Sequence, residues 1–200
     1  MTAVIDYGAG NIGSVVKAFA HFGEGCQLTA DPAKILSARR VVLPGVGSFG
    51  DAMGKLQAAG LDDVIREVVL RDIPFLGICL GMQLLFLCSE ESPGVKGLGI
   101  LPGQVLRIPA LPGYKVPHIG WNSLSVQKPD GLLQGLDQEY MYFVHSFYVR
   151  SEDRESVAAV TEYTEAMDVA VERGNLFACQ FHPEKSGDKG LSILHNFLER

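Results

Sequence analysis

Residues 74–86, PFLGICLGMQLLF, decide how the rest of the chain is read. Phe75-Leu76 enters a Gly-x-Cys-x-Gly turn at Gly77–Gly81, and a second apolar run leaves it. A short continuous apolar run bounded by turn residues is the pattern of a strand buried on both faces. The run that follows, LGMQLLFLCSE (80–90), predicts a helix apolar on nearly every side and therefore central. Strand, tight turn and buried helix in succession form the βα junction of a mainly parallel sheet covered on both faces.

The alternation continues toward the N-terminus. TAVID (2–6) predicts a strand, and NIGSVVKAFAHFG (11–23) carries Ile12, Val15, Val16 and Phe19 at helical spacing, with Gly23 to end it. CQLTA (26–30) reads as a strand. PAKILSA (32–38) reads as a short helix capped by Asp31, with Pro32 at its first position. RRVVLPG (39–45) is a strand running into a Gly/Pro loop, and LDDVIREVVLRD (61–72) a helix with Leu61, Val64, Ile65 and Val68 on one side.

The second half changes character. GQVLRI, HIGWNSL, YMYFVHSFYV, SVAAVTEY, MDVAVER and LFACQFH are successive strand signals, and KGLSILHNFLER is a closing helix with Leu191, Leu194 and Leu198 inward. The expected fold is a single α/β domain over residues 1–200. Its open sheet is mainly parallel (mixed), with helices on both faces and an antiparallel extension or second small sheet from the later strands.

The chain carries 17 Lys and Arg against 23 Asp and Glu, a net charge of −6. That argues against a nucleic-acid or membrane-surface binder, which needs a cationic face. The start, MTAVIDYG, lacks a basic segment followed by a long apolar stretch, and no apolar run approaches the ~18 residues of a membrane span. The expectation is a soluble cytoplasmic protein. Cys26, Cys79, Cys88 and Cys179 form no C-x-x-C pair and no zinc-like spacing with His, so no metal is expected. All four read as free thiols, and Cys26, Cys88 and Cys179 as small buried hydrophobes.

Cys79 is different because of its glycines. Strand, G-x-C-x-G and helix is the layout of a nucleophile elbow, where neighbouring side chains collide unless they are absent. The thiol then sits at a helix N-terminus, which favours the thiolate, and the Leu80 N–H points where an oxyanion forms. Taken alone, the motif leaves a packed thiol and a nucleophile equally open.

A nucleophile needs a base and the base an orienting group. Among His21, His118, His145, His182 and His195, the first and last fall in helices. His182 ends the apolar strand LFACQF, and Pro183 disfavours a helical conformation there. In extended chain His182 and Glu184 point the same way, so the carboxylate can hold the imidazole. His145 is the rival base, with no carboxylate near it in sequence. PGVGSF (44–49) follows a strand, so it should share the sheet edge with the elbow, where it could supply a second oxyanion donor. GAGNIG (8–13) matches a dinucleotide fingerprint, with Asp31 18 residues beyond Gly13 (31 − 13). It leaves Cys79 unexplained, and no second domain is present to hold a substrate.

With GICLGMQ, QFHPE, PGVGSF, HIGWN, YFVHSFY and the tail HPEKSGDKG in this order, the chain resembles the class I (triad) glutamine amidotransferase family over nearly its whole length. Within the family it is most similar to the branch working with imidazole glycerol phosphate formation in histidine biosynthesis. The resemblance implies a flavodoxin-like architecture and hydrolysis of L-glutamine through a thioester on Cys79, with His182 shuttling protons and Glu184 orienting it. It implies an oxyanion site of the Leu80 N–H with a loop N–H at Gly45 or Val46. Gly47, Gln83, Ser146 and Phe147 would bind substrate. It implies no cofactor, and ammonia passed to a (β/α)8-barrel cyclase in a heterodimer, with Asn11, Trp121, Tyr142 and Lys185 facing that partner. Three other readings stand beside it: a glutaminase feeding another synthase (for a pyridoxal phosphate, folate or tryptophan precursor), a stand-alone γ-glutamyl cysteine hydrolase, and a non-enzymatic nucleotide-binding module.

Overall fold

The computed structural model describes residues 1–8 and 12–200. In chain order the first half comprises β1 (Thr2–Ile5), α1 (Ile12–His21), β2 (Cys26–Thr29), α2 (Pro32–Leu36), β3 (Arg40–Gly45), α3 (Phe49–Ala58), α4 (Leu61–Leu70), β4 (Phe75–Cys79) and α5 (Leu80–Gln83). The second half comprises β5 (Gly103–Arg107), β6 (His118–Ser123), β7 (Ser125–Val126), β8 (Tyr140–His145), β9 (Phe147–Ser151), β10 (Val157–Glu162), β11 (Ala166–Arg173), β12 (Leu176–Cys179) and α6 (Gly187–Leu198).

Five strands run parallel in the order β2-β1-β3-β4-β12. This is the 2-1-3-4-5 order of flavodoxin-like sheets. Beyond β12 the sheet turns antiparallel through β11, β10 and β7, while β9 joins β11 and β5 joins β9. β6 and β8 form a separate two-stranded ribbon. The expected extension and the expected second small sheet are both present.

Strand alternation explains why the parallel strands read as unbroken apolar runs. Val41 and Leu43 of β3 face a core built with α2, α3 and α4, including Ile35, Met53, Leu56 and Ile65. Val42 faces the other way, into a core with Val15 and Phe19 of α1 and Ile193 and Phe197 of α6. Both faces are covered, so neither register tolerates a polar side chain. The Asp31 cap is in place, its Oδ1 accepting from Ala33 N at 2.9 Å, an interaction typically worth about 1 kcal/mol.

Several expectations need correction. The helix after Cys79 is a single turn, Leu80–Gln83, not a run to residue 90. The carbonyls of Leu84, Leu85, Phe86 and Leu87 are taken by N–H groups of residues 97–101 instead of by the next helical turn. α3 has no counterpart in the sequence reading: Phe49, Ala52, Met53 and Leu56 are buried at helical spacing, but Gly50 and Gly54 obscure the pattern. YMYFVHSFYV is two strands broken at Ser146. In α6 it is Ile193, Leu194 and Phe197 that are buried, with Leu191 and Leu198 at the margins. Cys179 is buried as expected, whereas Cys26 is half-buried and Cys88 exposed.

Candidate active site

Cys79 closes β4 with φ +54° and ψ −109°, in a region that side-chain-bearing residues avoid. Such a conformation typically costs about 1–3 kcal/mol and persists only when its surroundings impose it. The flanking glycines show what imposes it. A Cβ on Gly77 would lie 3.0 Å from both the Ala178 Cβ and the Gly81 carbonyl oxygen, and one on Gly81 would run into the Leu43 carbonyl. β3, β4, β12 and the turn therefore interlock through contacts too close to admit a side chain at either glycine. The Cys79 side chain is 7% exposed and opens into a cavity of about 400 Å³. α5 is one turn long, so the helix-dipole contribution expected from the sequence is correspondingly small.

His182 lies just past β12 and begins a 3₁₀ turn, Pro183–Lys185. Its Nδ1 is 2.8 Å from Glu184 Oε1, and both side chains are almost wholly buried. The two thus face each other as expected, but across a 3₁₀ turn rather than along a strand. The turn is pinned to β8: His182 N donates to the Tyr142 carbonyl at 3.0 Å, and Tyr142 N donates to Ser186 Oγ at 3.0 Å, while Ser186 Oγ donates back to the His182 carbonyl at 2.6 Å. A carboxylate only accepts, so Nδ1 carries the proton. Nε2 is buried with no hydrogen-bond partner among the described residues, and Cys79 acts with Glu184 to favour the charged imidazole. Burial alone would lower the His182 pKa, but Cys79 and Glu184 outweigh it and hold the imidazole up at about 9. A strained thiol facing an imidazole whose other nitrogen is tied to a carboxylate can attack an electrophilic carbon and move the accompanying proton.

The β3–β4 register sets Gly45 beside Cys79, so the loop 45–48 borders the thiol. A Cβ on Gly45 would lie 2.6 Å from the Tyr7 hydroxyl, which donates to the Pro44 carbonyl at 3.1 Å. Gly47 has φ +106°. Val46, Gly47, Leu80, Gln83, Ser146, Phe147, His182 and Lys185 line the cavity with Cys79, whereas Gly45 does not. Gln83 spends both amide hydrogens inside the protein, on the Phe147 carbonyl at 3.0 Å and on Gln180 Oε1 at 2.8 Å. It can offer a ligand only its carbonyl oxygen.

Three lining residues, Glu91, Pro117 and Val144, were not singled out for the site by the sequence. Glu91 lines the cavity and its Oε2 accepts from Phe49 N at 2.7 Å, while neighbouring Ser92 Oγ accepts from Gly50 N at 3.0 Å. These side chains cap α3 where it leaves the 45–48 loop. No local pattern marks Glu91, because its partner lies 42 residues away. Pro117 also lines the cavity. His145, the rival base, commits both ring nitrogens elsewhere: Nδ1 to the Phe147 carbonyl at 2.8 Å and Nε2 to His118 Nδ1 at 3.0 Å. Burial pushes His145 down to about 3 and His118 to about 4, so both are neutral imidazoles at ordinary pH.

Trp121 is 56% exposed and pairs across the ribbon with Tyr142, ring centroids 6.0 Å apart. The Lys185 ammonium lies 6.0 Å from the Tyr142 ring centroid. The three form one continuous surface beside the cavity, since Lys185 also lines it. Asn11, and the part of GAGNIG spanning 9–11, lie outside the described residues. Among the described residues no cluster of His, Cys, Asp and Glu is arranged to hold a metal ion, and no helix is long and apolar enough to cross a membrane.

The family model described as glutamine amidotransferase class-I matches residues 3–200. The chain is 49% identical over 199 residues to the imidazole glycerol phosphate synthase subunit HisH of Methanothermobacter thermautotrophicus, covering 100% of this chain and 98% of that one. It is 44% identical over 200 residues to imidazole glycerol phosphate synthase hisHF, chloroplastic, of Arabidopsis thaliana, covering 99% of this chain but 34% of that longer one. Among solved structures, one described as a glutamine amidotransferase superposes with a TM-score of 0.77 at 21% identity, over 98% of this chain and 97% of that one.

Proposed function

The chain belongs to the class I glutamine amidotransferase family, and from that premise we propose that it is the glutamine-hydrolysing subunit of an imidazole glycerol phosphate synthase, acting in histidine biosynthesis. The observation that carries this reading is the pairing of His182 Nδ1 with Glu184 at 2.8 Å, which leaves Nε2 for the strained Cys79 in a cavity of about 400 Å³.

The reaction follows from that geometry. The Cys79 thiolate attacks the side-chain carboxamide carbon of L-glutamine. The carbonyl oxygen becomes an oxyanion held by the Leu80 N–H and a backbone N–H of the Gly45-Val46 segment. Losing one such donor typically costs about 3 kcal/mol in the barrier. His182 Nε2 gives its proton to the nitrogen, the C–N bond breaks, and ammonia leaves a γ-glutamyl thioester on Cys79. Water then attacks the thioester, His182 Nε2 takes its proton, and glutamate leaves as the C–S bond breaks. Glu184 keeps the imidazole in the tautomer both steps need. Glu91 and the Gln83 carbonyl oxygen, both acceptors at the cavity wall, suit the substrate's α-ammonium. Gly47, Ser146 and Phe147 complete the wall that holds its main-chain groups.

Ammonia passes to a (β/α)8-barrel cyclase partner, which uses it to form imidazole glycerol phosphate and an aminoimidazole carboxamide ribotide. The Arabidopsis relative supports a partner, since it carries the name of the whole synthase and this chain spans 34% of it. The exposed Trp121–Tyr142–Lys185 surface beside the cavity supports where it docks. Residues 1–200 act as one amidotransferase domain, with no cofactor. Four free cysteines suit a reducing compartment such as the cytoplasm.

The test is glutamate release from L-glutamine, with and without a barrel cyclase and its nucleotide substrate, for wild type and Cys79→Ala. Release that depends on Cys79 and rises with the cyclase is expected. Release that survives Cys79→Ala overturns the mechanism, and an equal rate without any partner points to a stand-alone hydrolase.

A further inference from the structure

Gln180, two residues before His182, has no part in the chemistry above, yet it is fully buried with its amide nitrogen 3.6 Å from Cys79 Sγ. Which end of a glutamine amide faces a neighbour is ordinarily ambiguous. Here one group removes the ambiguity. The Phe147 carbonyl can only accept, so the nitrogen of Gln83 faces it at 3.0 Å. The same nitrogen, 2.8 Å from Gln180, must donate again, so Gln180 presents its oxygen to Gln83. Its NH₂ group is left facing the sulfur. Turning the Gln180 amide over would set NH₂ against NH₂ at Gln83 and a carbonyl dipole against the Cys79 thiolate.

The same carbonyl fixes the groups behind it. His145 Nδ1, 2.8 Å from Phe147 O, must be the donor. In a neutral imidazole Nε2 then accepts, and it does so from His118 Nδ1 at 3.0 Å. His118 is in turn sandwiched by rings, with the Tyr163 centroid at 4.0 Å and the Phe143 centroid at 5.0 Å. The Phe147 carbonyl thus accepts from His145 on one side and from Gln83 on the other, joining the β6–β8 ribbon to the amides beside the nucleophile.

We propose that Gln180 is a catalytic residue that donates a hydrogen bond to the Cys79 thiolate, with Gln83, itself fixed by the Phe147 carbonyl, as the positioning residue that holds its amide in the donating orientation. This rests on the reading of Cys79 as the nucleophile. A donor to the ionised sulfur favours thiolate over thiol and restricts the direction of attack. It supplements His182, whose own proton must leave for the ammonia nitrogen during the reaction. Gln180 carries no such proton, so its hydrogen bond is available to the sulfur whenever Cys79 is released as leaving group.

Among the described residues, the titratable groups that face Cys79 are His182 with Glu184 from the turn after β12, Tyr7 just past β1 and Cys179 on β12, with Glu91, His145 and Lys185 lining the same cavity. None of them is changed by substituting Gln180. The experiment is the pH dependence of Cys79 alkylation by iodoacetamide in the full chain, followed on the Cys79 peptide by mass spectrometry because Cys88 is exposed and also reacts. Wild type is compared with Gln180→Leu and Gln180→Glu, the second keeping the shape and the acceptor for Gln83. Thermal melts of all three check folding.

The alkylation midpoint should rise by about one pH unit in Gln180→Leu and by more in Gln180→Glu. For glutamine hydrolysis in the complex, kcat should fall about tenfold with KM within about twofold of wild type. An unchanged midpoint in a folded Gln180→Glu overturns the proposal and leaves Gln180 a packing residue. A shifted midpoint in a chain that hydrolyses no glutamine even with its partner upholds the role of Gln180 toward the sulfur and overturns the substrate reading instead.

Discussion

Gly45 lies directly opposite Cys79 across the parallel β3–β4 ladder. That one register position brings two loops, distant in sequence, to the same end of the sheet. It leaves almost no room: a Cβ on Gly45 would lie 3.0 Å from the Leu80 Cβ and 3.1 Å from Gly81 N as well as 2.6 Å from the Tyr7 hydroxyl.

Gly45→Ala should therefore cost stability on the order of 2 kcal/mol, and Tyr7→Phe should recover part of that loss by removing the nearest atom. Urea unfolding of both single variants and the double variant measures the coupling. Additive losses would mean that the Tyr7 hydroxyl is not what the new methyl meets. Gly81→Ala has no such rescue, because the obstacle is the Leu43 carbonyl of the β3 backbone.

Glu184→Gln keeps the size of the side chain but lets an amide N–H face His182 Nδ1, favouring the tautomer with its proton on the wrong nitrogen. Glutamate release should fall by about 10²- to 10⁴-fold with little change in melting temperature. His182→Asn should fall at least as far. A variant Glu184→Gln with near-normal kcat would remove Glu184 from the mechanism.

Stability should depend on pH in two opposite limbs. His118 and His145 are held by burial at about 4 and about 3, below the ordinary histidine value near 6.5. The unfolded chain then binds more protons in this window, so their contribution is intact above about 6.5 and is lost as pH falls toward 3. His182 is the reverse case. With its folded pKa raised to about 9, it stabilises fully below about 6.5 and loses that contribution as pH rises through about 9. Urea midpoints measured from pH 4 to 10 should peak near neutrality. The alkaline limb should flatten in Cys79→Ala, which removes one of the two charges that raise His182.

Trp121→Ala should leave the isolated chain folded, since the indole is 56% exposed, yet weaken binding to a barrel cyclase by about tenfold or more. Calorimetric titration of the variant against the partner reads this directly. Unchanged affinity would place the docking surface elsewhere.

The elements that were legible in the sequence are those whose signals are local. The apolar runs of β1, β3 and β4, the Asp31–Pro32 helix start, the two elbow glycines and the His182/Glu184 spacing all lie within a few residues of the structure they specify. What was not legible depends on distant partners. The length of α5 is set by residues 97–101, which capture carbonyls that a longer helix would use. Glu91 acquires meaning only from Phe49, and Gln180 only from Gln83 and the Phe147 carbonyl. His145 looked like a base until His118, 27 residues away, claimed its second nitrogen. Gln83 was expected to bind substrate, and its amide hydrogens turn out to be engaged within the protein.

β12 is the last strand in the chain, but it sits in the middle of the sheet, parallel to β4 on one side and antiparallel to β11 on the other. Leu176 pairs with Phe75, a separation of 101 residues (176 − 75). A chain grown only as far as Asn175 carries the thiol and its glycines but not His182, Glu184 or Gln180, and it presents open edges on both β4 and β11. Long-range closures of this kind slow folding, and unpaired edges invite aggregation until they are filled. Seating β12 therefore completes the sheet and arms the cysteine in a single event, so no half-built form of the protein carries the finished reactive centre.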